Sequence, residues 1–124
     1  MAETGYVIFA HGSTVEEAND AVREVARRAA QAGGFTAYET AFLECTRPSL
    51  ADAVAKLVGQ GIHDIVILPY FLTLGIHLQR DLPNLVGEVQ ERTPGLTIRV
   101  APPLDGHPAL SEILVARAQE VVLK

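Results

Sequence analysis

The sequence predicts an α/β fold: a four-stranded parallel sheet in the order 2-1-3-4, with helices on both faces. Two observations carry this. Four short apolar runs are each followed by a stripe at helical spacing, the pattern of successive strand-helix units. Two of the runs, YVIFA and IVIL, are continuously apolar, as expected of strands buried on both faces. Right-handed crossovers then place the first and third strands centrally, with the topological switch point between them.

The first strand is read over Gly5 to Ala10. Thr14 and Glu17 fit a capping box, and Ala18, Val22, Val25, Ala26 and Ala29 form the apolar stripe of a helix that Gly33-Gly34 ends. AHGS is therefore the strand-to-helix turn. Phe35 to Glu44 alternates as a strand with Glu44 at its end. Pro48 suits a first helical turn, and Leu50, Val54, Leu57 and Val58 make a stripe that Gly59 and Gly61 stop.

Asp64 to Phe71 is the other central strand, with Pro69 closing its regular pairing. After LTLGIH a helix is expected from Leu78 or Pro83, with Leu82, Leu85, Val86 and Val89 on its apolar face and Pro94-Gly95 as its stop. Leu96 to Ala101 is the fourth strand. PPLDGHP is a turn-rich loop, and Leu110, Ile113, Leu114, Ala118 and Val121 carry a last helix whose stripe is expected in the core.

At 124 residues, 48% hydrophobic and 20% charged, the chain fits one domain over 1–124. No apolar run reaches the ~18 to 20 residues that cross a bilayer, and MAETGYVIFAHGS lacks the features of a signal peptide. A cytoplasmic location with no membrane partner is the expectation. A net charge of −5 argues against nucleic acid, which normally needs a basic patch. Cys45 is the only cysteine, so neither a disulfide within the chain nor a Cys-rich zinc cluster can form. Any metal must use His and carboxylate.

His11 and His77 both follow apolar strand runs, so the sheet brings them to one mouth, where two imidazoles outline a metal site. Glu44 falls at the end of the second strand, and a carboxylate is a usual further ligand at such sites. Taken singly, a histidine after a strand is more often a turn or capping residue than a ligand, and Glu44 could be an exposed strand end. His63 precedes the third strand and falls at the opposite end of the sheet. His107 before Pro108 reads as a turn residue, Cys45 as a small buried hydrophobe, and Asp81 as a helix-start residue.

AHGS after the first strand, FLE followed by PSL after the second, LPYFL after the third, GIH followed by DLP, and APPL after the fourth together resemble the small CbiX/SirB family of sirohydrochlorin chelatases, from about Val7 to Leu110. The resemblance implies insertion of a divalent metal, Co2+, Fe2+ or Ni2+, into sirohydrochlorin on the way to cobalamin or sirohaem. The metal is then a substrate, and no cofactor is permanently bound. It implies metal-binding and catalytic roles for His11 and His77, with Glu44 as a further metal ligand, and a one-domain form, half of the larger chelatases, that works as a homodimer. Thr14 stands where relatives often carry Arg, and the His-rich tail of some members is missing.

The chemistry agrees with that implication. Insertion needs ligands that release the ion and a base for two pyrrole protons. Imidazole can do both, and two His with one Glu leave coordination positions open. Which imidazole binds metal and which takes a proton stays open at this level. Tyr70, Phe71, Leu72, Leu74 and Ile76 offer an apolar surface for a flat macrocycle, Ser13 lies in the turn, and Arg47 and Arg80 are candidate partners for its carboxylates, or simply solvated surface. Two alternatives use the same residues: a non-catalytic carrier of metal or tetrapyrrole, and a phosphoryl-transfer enzyme with His11 as nucleophile. The second fits poorly, since Ala10 stands where a phosphate-binding Arg would be needed.

Overall fold

A computed structural model describes residues 3–123. The elements run β1 (Thr4–Ala10), α1 (Glu16–Gly33), β2 (Tyr38–Phe42), α2 (Leu50–Gly59), β3 (Asp64–Pro69), α3 (Ile76–Arg92), β4 (Thr97–Val100) and α4 (Ala109–Val122). The sheet is parallel throughout in the order β2-β1-β3-β4, as the strand-helix alternation predicts. Its register sets Val7 beside Ile67, Ile8 beside Leu68 and Ala10 beside Phe42.

One face of the sheet carries Val7, Phe9, Ile65 and Ile67, all fully buried against Leu50, Val54 and Leu57 of α2 and Leu82 and Val89 of α3. Phe71, just past β3, meets Phe9 edge-on with ring centroids 6.0 Å apart. The opposite face carries Ile8 and Leu68, and α1 lies beside it through Val25, Ala26 and Ala29. Phe35 stacks on Tyr6 at 3.8 Å where the chain leaves α1 for β2.

Several expectations are corrected. No side-chain cap bond forms at the start of α1, so Thr14 and Glu17 make no capping box. The Ser13 hydroxyl instead accepts the Val15 N–H at 3.0 Å, and the helix begins at Glu16. Its buried stripe is Asn19, Ala26 and Ala30, while Val25 stays exposed. Pro48 precedes α2, whose cap is Ser49, accepting from the Asp52 N–H at 3.2 Å.

β2 stops at Phe42 and β4 spans only Thr97–Val100. Glu44 therefore lies beyond its strand, in the turn. The helix expected from Leu78 or Pro83 starts at Ile76 and runs through Pro83. The proline removes one backbone bond, but burial of Leu82 and Val89 on either side offsets that loss. His77 and Asp81 are accordingly helical, and Asp81 is exposed within the helix rather than at its start.

The largest departure is α4, which buries no residue at all. Its stripe is not core: Ile113, Leu114 and Val121 are exposed. Among the described residues, no helix is long and apolar enough to cross a membrane.

Candidate metal site

Two turns at the C-terminal edge of the sheet are stitched together by backbone. Leu43 N–H donates to the Ala10 carbonyl at 2.9 Å and Glu44 N–H to the His11 carbonyl at 3.0 Å, extending the β1–β2 pairing past both strand ends. This places the side chains of His11 and Glu44 side by side, with His11 Nε2 3.2 Å from Glu44 Oε1. Cys45 follows with φ of 72°, in the left-handed region. That backbone turns the chain away from the sheet, and Cys45 is exposed rather than buried as expected.

Gly12 makes the approach possible. Its φ is 91°, and a Cβ at this position would stand 1.9 Å from the Glu44 carbonyl oxygen. Only a residue without a side chain fits between the two turns.

The orientation of the His11 ring follows from its other nitrogen. Nδ1 lies 3.0 Å from the Gly12 carbonyl, which can only accept, so Nδ1 carries the hydrogen. In the neutral ring Nε2 then presents its lone pair on the side of the Glu44 carboxylate. Two acceptors facing each other at 3.2 Å require a positive particle between them or beside them. A proton satisfies them, and so does a divalent metal: ligand bonds of about 2.1 Å with a ligand-metal-ligand angle of roughly 100° span this separation.

Asn19, which is not among the residues singled out from the sequence, holds this turn from below. It is 2% exposed. Its Oδ1 accepts the Ser13 N–H at 2.9 Å, and its Nδ2 donates to the Ser13 carbonyl at 2.8 Å and to Glu16 at 3.1 Å. Arg23 first, and Asn19 second, hold the Glu16 carboxyl below the ordinary carboxylate range, so Glu16 stays an acceptor. A polar residue on the helix stripe that buries Ala26 and Ala30 was the available signal. Asn19→Ala strands both Ser13 backbone groups, and we expect it to lower stability by about 1–3 kcal/mol and to speed hydrogen exchange at the Ser13 amide. Unchanged exchange would mean that other contacts hold the loop.

The remaining candidates are spread around the mouth. His77 is exposed in the first turn of α3, and Arg80 donates to its Nδ1 at 3.2 Å, which leaves the hydrogen of the neutral ring on Nε2. Among the described residues, no three His, Cys, Asp or Glu side chains converge closely enough to hold one ion. The structure thus brings His11 and Glu44 together but does not close a triad with His77.

The Ser13 hydroxyl is engaged with Val15. Arg47 is exposed, and Arg80 is taken up by His77. The apolar run after β3 is divided rather than a single platform. Tyr70 and Leu72 line a cavity of about 590 Å³ with Leu104, Leu110 and Ile113, Leu74 lines another of about 390 Å³ with Leu82 and Val86, and Ile76 is exposed. His63, exposed at the opposite end, lies 3.3 Å through Nδ1 from the Gly61 carbonyl. His107 stands in the turn before α4, its Nδ1 accepting the Ala109 N–H at 3.0 Å.

A family model described as CbiX matches residues 5–121. The sirohydrochlorin cobaltochelatase of Sulfurisphaera tokodaii is 30% identical over 95% of this chain and 93% of its own length. The chloroplastic sirohydrochlorin ferrochelatase of Arabidopsis thaliana is also 30% identical, over 93% of this chain and 51% of its own length. The structure of a CbiX protein from Marinobacter aquaeolei is similar with a TM-score of 0.85 at 26% identity, covering 96% of this chain and 97% of that one.

Proposed function

The chain belongs to the CbiX family, and from that premise we propose that it inserts a divalent metal into sirohydrochlorin, with cobalt as the first candidate and ferrous iron and nickel as the others. The observation that carries this is the convergence of His11 Nε2 and Glu44 Oε1 at 3.2 Å on the exposed mouth of the sheet. A pair open on its other sides can hold an ion and still leave positions for pyrrole nitrogens, which a closed structural site cannot.

The exchange balances. Sirohydrochlorin gives up two pyrrole protons for one M2+, so no net charge is transferred. As the ion passes to the macrocycle, the His11 imidazole and the Glu44 carboxylate each regain a lone pair able to take one of those protons. Because a ligand nitrogen must be unprotonated, metal binding at His11 competes with protons.

His77, beyond the end of the neighbouring strand, is the second imidazole of the proposal, as metal ligand or base. The Nδ1 lone pair that Arg80 holds in this structure becomes free for that role when Arg80 turns to a carboxylate of the macrocycle. Leu72, Leu74 and Ile76 supply apolar surface for the macrocycle, and Ser13, Arg47 and Arg80 supply polar contacts at its edge. The metal is a substrate, and the reaction needs no resident cofactor. One domain walls only part of a large macrocycle, so the working unit is a homodimer.

The test is anaerobic insertion of Co2+, Fe2+ and Ni2+ into sirohydrochlorin, followed by visible absorbance. At least one metal should be inserted well above the uncatalysed rate, whereas tight binding of metal or macrocycle without turnover would make the protein a carrier. Because protonated imidazole cannot ligate, insertion at saturating metal and metal affinity should both decline on acidification through about pH 6.5, where free imidazole titrates. Flat profiles from a protein that stays folded would remove both histidines from the mechanism.

A further inference from the structure

The two turns that meet at His11 and Glu44 are joined a second time, through side chains of α1. The backbone bond from Glu44 N–H to the His11 carbonyl holds only the near side of the second turn. Past it the chain reverses at Cys45, with φ of 72°, and returns to the end of β2, where Phe42 N–H donates to the Pro48 carbonyl at 2.9 Å. The far side of this loop is met by Arg23, whose Nη2 donates to Thr46 Oγ1 at 3.4 Å.

Arg23 is itself placed from two sides. Its Nη1 donates to Glu16 Oε1 and to Asp20 Oδ1, both at 2.7 Å, and its guanidinium lies over the Phe42 ring, 5.2 Å from the centroid. Phe42 is buried at the end of β2, so the cation rests on a fixed aromatic floor. The Glu16 carboxylate is the branch point. Its Oε2 accepts from Asn19 Nδ2 at 3.1 Å, and Asn19 holds both backbone groups of Ser13. One polar chain therefore runs from Ser13 through Asn19, Glu16 and Arg23 to Thr46, linking the turn that carries His11 to the turn that carries Glu44.

We propose that Glu16 and Arg23 are positioning residues for the His11–Glu44 pair, setting the gap between the two turns that deliver its metal donors. This deepens the metal chemistry proposed above and rests on it. The parts of the link favour placement over stability. Exposed ion pairs contribute little to folding, and the Glu16 side chain is 63% exposed. Groups that orient metal ligands, by contrast, typically cost about 10- to 100-fold in affinity or activity when removed. The sign of the charge separates the two roles of Arg23. Loss of a cation near the site would by Coulomb attraction alone favour a divalent ion, so a fall in affinity reports lost geometry.

The probe is Co2+ titrated into the protein without macrocycle. Arg23→Ala should lower Co2+ affinity about tenfold or more with the thermal midpoint nearly unchanged. Thr46→Val should act in the same direction and add little to Arg23→Ala, because the two substitutions break one link, while Thr46→Ser keeps the hydroxyl and the affinity. Glu16→Gln, whose amide cannot accept from Asn19 and Arg23 together, should likewise add little to Arg23→Ala. Arg27→Ala is the control: Arg27 pairs with Glu24 at 2.6 Å on the same helix, so the same charge is removed and the affinity should hold. Hydrogen exchange at the Glu44 amide reads the gap without metal and should quicken in Arg23→Ala but not in Arg27→Ala. Co2+ affinity that is unchanged or raised in folded Arg23→Ala overturns the proposal, as does an equal loss in Arg27→Ala. If Arg23→Ala fails to fold, full affinity in Thr46→Val overturns it instead. If the wild type binds no Co2+, the metal reading fails and exchange decides alone: a Glu44 amide no faster in Arg23→Ala than in wild type overturns the link. A wild type that binds Co2+ through His11 but inserts none into sirohydrochlorin removes the chelatase reading and leaves the positioning role standing.

Discussion

Replacing His11 with alanine lowers metal insertion by about 10²- to 10⁴-fold, the usual cost of losing a positioned general base, and leaves the fold unaltered. The His11 side chain is 59% exposed, and exposed substitutions usually change stability by no more than about 0.5 kcal/mol, so lost activity cannot be charged to unfolding. In the proposed site the ring is also one of the two metal donors, so His11→Ala should lose metal affinity when the protein is titrated without macrocycle. His77→Ala is expected in the same range for insertion. Glu44→Gln separates charge from shape: it keeps an acceptor oxygen beside Nε2 but no longer balances a divalent ion, and should weaken metal binding while His11 stays in place. Insertion rates, metal titration and circular dichroism together check this. Near-normal turnover by either histidine variant, with an unchanged spectrum, would end the two-histidine mechanism.

Gly12→Ala should damage both stability and activity, although it adds a single methyl group. The new Cβ would meet the Glu44 carbonyl oxygen at 1.9 Å in a backbone of φ 91°. The two turns must separate, breaking the bonds from Leu43 to Ala10 and from Glu44 to His11. Holding a non-glycine residue in such a conformation costs about 1–3 kcal/mol by itself. Displacing a reacting group by an ångström can cost about 10²-fold in rate. Gly34→Ala is the control. Gly34 also has a positive φ, 69°, but nothing lies within 4 Å of the place a Cβ would take, and it ends α1 away from the mouth. It should lower the denaturation midpoint while leaving insertion per folded molecule unchanged. Equal losses in the two variants would show that the effect is backbone strain in general and not the stitching of His11 to Glu44.

Strand order, the parallel sheet and the shared edge reached by His11 and His77 were all legible in the residues. Continuous apolar runs report burial on both faces, and strand-helix alternation leaves few topologies once crossovers are right-handed. The same local patterns misplaced helix starts. Thr14 and Glu17 have capping spacing, but Ser13 and Asn19 compete for the same turn and win because Asn19 is buried beneath it. Pro83 reads as a boundary, yet the helix passes through it because Leu82 and Val89 are held by the core.

By itself, then, the chain's pattern of apolar runs determined the architecture, and the placement of histidines and Glu44 after strand ends determined which residues could do chemistry. The tertiary structure decided what those residues are to one another. Periodicity is a one-dimensional signal that reports whether a face is apolar. It cannot report whether Gly12 lets two turns close to a 3.2 Å His11–Glu44 pair, whether Leu72 and Leu74 line one surface or two cavities, or whether the apolar stripe of α4 finds a place in its own core. It finds none there, because covering a face depends on where the rest of the chain lies in space, and that distance is absent from local sequence.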